Sequence, residues 1–178
     1  NNKDIIIEIG SGNGENIINL SNLYPNKLII ACEVYIDGNV SLLSKLEKSK
    51  INNVKIFGET CFFLFEKMKK NSIQEIWILY PDPWPKRRHY KRKLINKQFI
   101  KTLNYFLKKD GKVYIATDDS NYFIDILLKF YNSKLFRWEN DRPLSWLKPF
   151  RRMIKTSFFI KAQKNGQKSN FMIFSKKI

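Results

Sequence analysis

The chain has 178 residues, 43% of them hydrophobic and 14 of them Phe, enough apolar material for one domain with a buried core and too much for a disordered one. No apolar run approaches the roughly 20 residues of a membrane span, and no signal-peptide layout opens the sequence. The formal charge is +17, so a polyanionic partner is the first class to consider.

That charge is not spread evenly. Residues 1–85 hold nine Lys against ten acids, a net of −1, whereas residues 86–178 hold 24 Lys or Arg against six acids, a net of +18. All seven arginines lie in the second half. A compositional bias toward lysine would not respect such a boundary, so the second half is expected to carry a nucleic-acid-binding face. Cys32 and Cys61 sit in apolar settings and read as buried, reduced thiols of a cytoplasmic protein. With His89 the one histidine and no CxxC pair, no zinc site is expected.

In chain order, Ile5–Ile9 reads as a strand, followed by a Gly-rich turn and a helix over Glu15–Leu23. Leu28–Cys32 is a second strand, with a helix near Val40–Lys50; Val54–Phe57 is a third, with a helix near Cys61–Lys70. Ile76–Tyr80 is the fourth strand, then a helix over Lys97–Leu107, a strand over Lys112–Ala116 and a helix over Asn121–Tyr131. Strands are expected near Ser157–Ala162 and Phe171–Ser175, and Arg137–Lys155, with two Pro and two Trp, reads as an irregular loop. This alternation predicts an α/β, Rossmann-like, doubly wound and mostly parallel sheet of seven strands.

Two segments carry chemistry. The first is the turn Glu8-Ile9-Gly10-Ser11-Gly12-Asn13-Gly14-Glu15, whose glycines allow close backbone approach to a ligand at a helix amino terminus. Glu33 ends the second strand, where an acid bonds ribose hydroxyls in nucleotide folds. Glu8 separates two cofactor classes: an acid beside the turn repels a pyrophosphate but suits an ammonium and a sulfonium, pointing to S-adenosylmethionine rather than NAD.

The second segment runs from Tyr80 to Lys93, where a strand breaks into Pro81-Asp82-Pro83-Trp84-Pro85 and then a run with six cations in eight residues. The prolines fix the backbone on either side of Asp82. Trp84 is either a stacking plate for a base or a plug under the loop. Arg151, Arg152 and Lys155 form a candidate second basic strip, with a solvated surface as the alternative.

With these blocks, together with Cys32-Glu33-Val34 and Ala116-Thr117-Asp118, the chain resembles the bacterial tRNA (guanine-N7)-methyltransferases over nearly its whole length. The resemblance implies a single class I S-adenosylmethionine-dependent methyltransferase domain over residues 1–178, lacking an N-terminal extension. It implies methyl transfer to N7 of a guanine in the tRNA variable loop, by a monomer or weak homodimer that uses no metal and no membrane. It further implies Asp82 at the reacting centre and Glu8, Gly10, Gly12, Gly14, Glu33, Glu59 and Asp82 around the cofactor. Substrate contacts fall to Lys86, Arg88, His89, Tyr90, Lys91, Arg92, Lys93, Asp118, Thr156, Ser157, Phe158 and Phe159.

Two further departures stand out. Glu59-Thr60 replaces the family's Asp-Ala, and Thr156-Ser157-Phe158-Phe159 replaces Thr-Lys-Phe-Glu. The alternatives are a non-catalytic tRNA-binding module of the same fold and a methyltransferase for another RNA.

Overall fold

In the computed structural model, which describes residues 3–140 and 142–177, the first strand shows why the sheet lies inside the protein. β1 (Ile5–Ile9) is apolar at four of five positions, and successive side chains point to opposite faces. Ile7 and Ile9 enter one core with Phe99, Leu103, Tyr122 and Ile126; Ile6 enters the other with Ile17, Leu20, Leu42 and Trp77. Helices cover both faces.

The elements that follow are α1 (Glu15–Leu23), β2 (Leu28–Cys32), α2 (Ile36–Lys48), β3 (Val54–Phe57), α3 (Cys61–Glu66) and β4 (Ile73–Leu79). After a basic 3-10 segment, Arg87–Arg92, come α4 (Lys97–Phe106), β5 (Leu107–Thr117), α5 (Ser120–Ser133), β6 (Phe136–Trp138), α6 (Ser157–Lys164) and β7 (Asn170–Lys176). The sheet order is β3-β2-β1-β4-β5-β7-β6. Five strands are parallel, while β7 runs antiparallel to both β5 and β6. The chain winds outward from β1 on one side and from β4 on the other. The crevice between the carboxyl ends of these two strands, where Ile9 pairs with Ile78, is the topological switch point at which such sheets bind ligands.

Seven strands were expected and seven are found, but one lies elsewhere. Ser157–Ala162 is helical: Thr156 Oγ1 accepts from the Phe159 amide as an N-cap, and Phe159 and Ala162, three residues apart, bury one face. The missing strand is β6, hidden at the start of the expected irregular loop. Its Phe136 and Trp138 rings lie 5.1 Å from Phe130 and 5.2 Å from Phe174. Smaller shifts occur at β4, which begins at Ile73, and at α2, which begins at Ile36.

Candidate active site at the carboxyl edge of the sheet

The floor of the site is the turn after β1. Gly10, Gly12 and Gly14 all have positive φ, so the backbone doubles back tightly before α1, whose amino terminus has no side-chain cap. Glu8 lies beneath the turn, 3% exposed, and accepts from Asn16 Nδ2 at 3.3 Å. Burial pushes its carboxyl up to about 8; Asn16 opposes this, and Glu15 and Glu33 reinforce it. In the unliganded chain burial thus favours the protonated form of Glu8, and a cation placed beside it would favour the carboxylate. Beside it, Ser11 Oγ and Asn16 Oδ1 are buried with no hydrogen-bond partner among the described residues. Unpartnered buried acceptors are costly, and here they converge with Glu8 where a cationic donor would satisfy them.

Glu33, just past β2, accepts from the amides of Gly12 and Tyr35, both at 2.9 Å. Asn39 Nδ2 donates to the Glu33 carbonyl at 2.8 Å, fixing this loop to the first turn of α2. From there a cleft of about 420 Å³ runs across the switch point, lined in part by Gly12, Glu33, Tyr80, Asp82, Trp84 and Phe158. Asp82 is exposed within it. Tyr80 and Trp84 hold left-handed backbone at φ +56° and +43°, sparsely populated for bulky residues and the kind of strain that gathers at functional sites. The Trp84 ring is half-buried, with His89 edge-on at 5.6 Å and the Arg92 guanidinium 4.9 Å above it.

The basic residues sort into two groups. Lys86, Arg87, Arg88, Lys91 and Arg92 are exposed, with Tyr90 beside them. Lys93 is not: its side chain is 9% exposed, its ammonium is 3.3 Å from Asp125 and lies over the rings of Tyr90 and Tyr122. It staples the basic segment to α5 and does not present a charge to phosphate. Arg152, read as part of a second strip, also turns inward. It bonds Glu75 at 3.1 Å and the Tyr114 hydroxyl, and lies over Tyr24, Trp77 and Tyr114. Arg151 and Lys155 stay exposed.

The quartet at the start of α6 divides in the same way. Thr156 is the buried cap, and Ser157 donates from its amide at 2.6 Å and from its hydroxyl to Glu15. Phe158 projects over Gly12, while Phe159 points into the core, 6.0 Å from Phe171. Asp118 is half-buried after β5. Glu59 is exposed after β3 and does not line the cleft. Both cysteines are free and buried; burial pushes Cys32 up to about 12 and Cys61 to about 11, so neither is a nucleophile. A larger apolar hollow of about 610 Å³ beside α5 and β6 shares no residue with this cleft.

The family model described as "Putative methyltransferase" matches residues 2–172. A tRNA (guanine-N(7)-)-methyltransferase of Wolbachia pipientis is 37% identical over 155 residues, covering 86% of this chain and 70% of that one. The chain belongs to the tRNA (guanine-N7)-methyltransferase family. Its relative of that name from Ruegeria is 30% identical, covering 98% of this chain and 68% of that protein. An rRNA methylase from Streptococcus thermophilus shares the fold at 14% identity, with a TM-score of 0.64 over 100% of this chain and 89% of that one.

Within this family member, several residues shape the site to which the sequence analysis gave no individual role: Ser11 and Glu15, within the Gly turn it singled out, and Asn16, Gly38 and Asn39, outside it. A polar residue on the buried face of a helix, as at Asn16, is the one signal available beforehand. Gly38 gives none, because its role is proximity. A Cβ there would lie 2.7 Å from the Gly12 carbonyl oxygen, so the Gly turn itself must move. Gly38→Ala is expected to weaken cofactor binding at least tenfold while costing only about 1–3 kcal/mol of stability, the range for overpacking. Calorimetric titration beside thermal unfolding checks it, and unchanged affinity would mean the turn yields freely.

Proposed function

We propose that this cleft joins S-adenosylmethionine to tRNA and that the chain methylates N7 of a guanine in the variable loop. The observation that carries the reading is the convergence, under a glycine turn, of Glu8 with the orphaned Ser11 and Asn16 oxygens. It forms an acceptor set fitted to an ammonium, with Glu33 set for ribose hydroxyls across the turn. S-adenosylmethionine, when bound, supplies an electrophilic methyl on a sulfonium.

The residues of the chain do the rest. Guanine N7 carries an exposed lone pair, so no general base is required. What the reaction needs is a held alignment and a place for the charge that arrives on the purine. Asp82 lies where a fixed carboxylate favours that arriving charge more than it favours the ground state. Arg87, Arg88, Lys91 and Arg92 hold phosphates and set register without reading sequence.

The test is methyl transfer from labelled S-adenosylmethionine to unmodified tRNA, mapped by cleavage at 7-methylguanosine. One modified guanine in the variable loop is the expected result. Cofactor binding without transfer would leave a tRNA-binding module. Neutralising Arg87, Arg88, Lys91 and Arg92 together is expected to lower tRNA affinity about 10- to 1000-fold at moderate salt, and to reduce the slope of log affinity against log salt by about three or four. An unchanged slope would place the RNA on another face. The same change at Lys93 is expected to act through stability, since its partner is Asp125.

A further inference from the structure

Arg152 is anchored at two points in the sheet and has no assigned task. Its Nη1 donates to Glu75 at 3.1 Å and its Nη2 to the Tyr114 hydroxyl at 2.5 Å. Glu75, on β4, is 7% exposed, and its other oxygen accepts from Trp77 Nε1 at 3.0 Å. Two residues before Arg152, Phe150 is buried edge-on against Trp77 and Tyr114, at 5.6 and 5.3 Å. All of these groups lie on the sheet face that α1 covers. Glu75 is four strand residues, or ~13 Å, from Leu79, where β4 reaches the cleft.

From that anchor the chain runs along α1 toward the site. Asn19 Nδ2 donates to the Arg152 carbonyl at 2.6 Å. Glu15, one turn earlier on the same helix face, takes both donors of Ser157. Residues 152–157 are thus a strap fixed to α1 at either end. Its upper end roofs the pocket whose floor is Glu8, Ser11 and Asn16, with Thr156, Ser157 and Phe158 as lining. That pocket holds about 30 Å³, so a slight displacement of the roof remakes it.

We propose that Arg152 is a positioning residue for cofactor binding: through Glu75 it sets the height of the strap, and so of the roof over the Glu8 pocket, without touching the cofactor. This role rests on the S-adenosylmethionine reading above and extends it to a residue outside the pocket. The apparent affinity of a ligand falls with the fraction of chains whose site is assembled, and Arg152 raises that fraction before the ligand arrives. Once the cofactor is bound the strap is already in place, so the chemical step does not feel the anchor. Arg152 therefore acts on KM, whereas Asp82 acts on kcat.

The experiment uses the whole chain, with S-adenosylhomocysteine for binding and S-adenosylmethionine with tRNA for turnover. Removing Arg152 alone would leave the buried Glu75 carboxyl without its cation. The main variant is therefore Glu75→Gln with Arg152→Met, which removes both charges and keeps an acceptor for Trp77. Calorimetric titration is expected to show S-adenosylhomocysteine bound about 10- to 100-fold more weakly. KM for S-adenosylmethionine should rise by the same factor, with kcat at saturating cofactor and tRNA within about threefold of wild type. Asn19→Ala removes one hydrogen bond to the strap and alters neither the pocket lining nor Glu75. It should weaken binding by about three- to tenfold. All three changes together should lose less than the product of the two effects, because they release one strap.

Unchanged cofactor affinity in the paired variant overturns the role, as does a fall in kcat with KM unmoved. If the paired variant does not fold, Asn19→Ala decides: wild-type affinity there overturns the strap, and weakened affinity with intact kcat supports it. A wild-type chain that does not bind S-adenosylhomocysteine overturns the underlying cofactor reading instead.

Discussion

Asp82→Ala is expected to lower the single-turnover rate of methyl transfer about a thousandfold while leaving cofactor and tRNA affinities within a few-fold. The magnitude follows from what the carboxylate is asked to do. Positive charge leaves sulfur and appears on the purine, and one fixed charge placed for such a shift is worth roughly 10²–10³ in rate. The geometry favours a full effect. Pro81 and Pro83 restrict the backbone around Asp82, and the cleft wall beside it includes Trp84 and Tyr80. Once RNA covers the exposed carboxylate, less water screens it. Asp82→Asn keeps the shape and removes the charge, so equal losses in both variants assign the effect to electrostatics. Rapid-quench measurement with saturating tRNA is the check, and turnover near wild type would remove Asp82 from the reacting centre.

The second large effect is expected at Glu8. Its carboxyl is raised from an ordinary 4.5 to about 8 by burial, so between these values the folded chain holds a proton that the unfolded chain has lost. Stability of the unliganded protein should therefore fall as pH rises from about 4.5 to 8 and level off above, by an amount on the order of 3–5 kcal/mol. Glu8→Gln, which cannot ionise, should remove that slope and leave the apo protein more stable at pH 8.5. The cofactor reverses the preference, since an ammonium beside Glu8 favours the carboxylate. Binding below pH 8 should release close to one proton, and cofactor affinity should rise toward pH 8. Glu8→Gln should lose about 100-fold or more in affinity at pH 8.5. Titration calorimetry in two buffers of different ionisation heat reads the proton directly; none released would mean the ammonium does not reach Glu8.

In the amino-terminal half of the fold the first three strands and the first helix were legible to the residue, while α2, α3 and β4 have shifted ends. Strands β1, β2 and β3 and helix α1 begin and end where periodicity and turn residues place them. There each signal is local: an apolar run, a glycine or proline stop, an acid at a strand end. The carboxyl-terminal half was less legible because its decisions are tertiary. Ser-Phe-Phe-Ile-Lys-Ala has strand-like composition, and it is a helix because Thr156 caps it and Phe159 finds Phe171. Lys93 and Arg152 show the same limit for charge. A sequence counts cations, but a long side chain chooses between solvent and an aromatic cage only once the cage exists. Glu8, Glu33, Asp82 and the three glycines of the turn could be named in advance. The orphaned oxygens of Ser11 and Asn16 could not, since being unpartnered depends on everything packed around them.

The contact between Ser157 and Glu15 spans 142 residues. Floor and roof of the cleft are thus contributed by segments far apart in sequence, and joining them closes a loop of most of the 178 residues. Long-range closure is the slow part of folding. On a ribosome, the turn around Glu8 emerges well before α6, and it has no lid until that helix has been synthesised and packed. A chain released before Ser157 would keep the parallel strands β1–β5 and lose half of its ligand enclosure. Ligand affinity therefore reports completion of the whole architecture, and a pulse-labelled folding reaction followed by cofactor capture should register as its final phase.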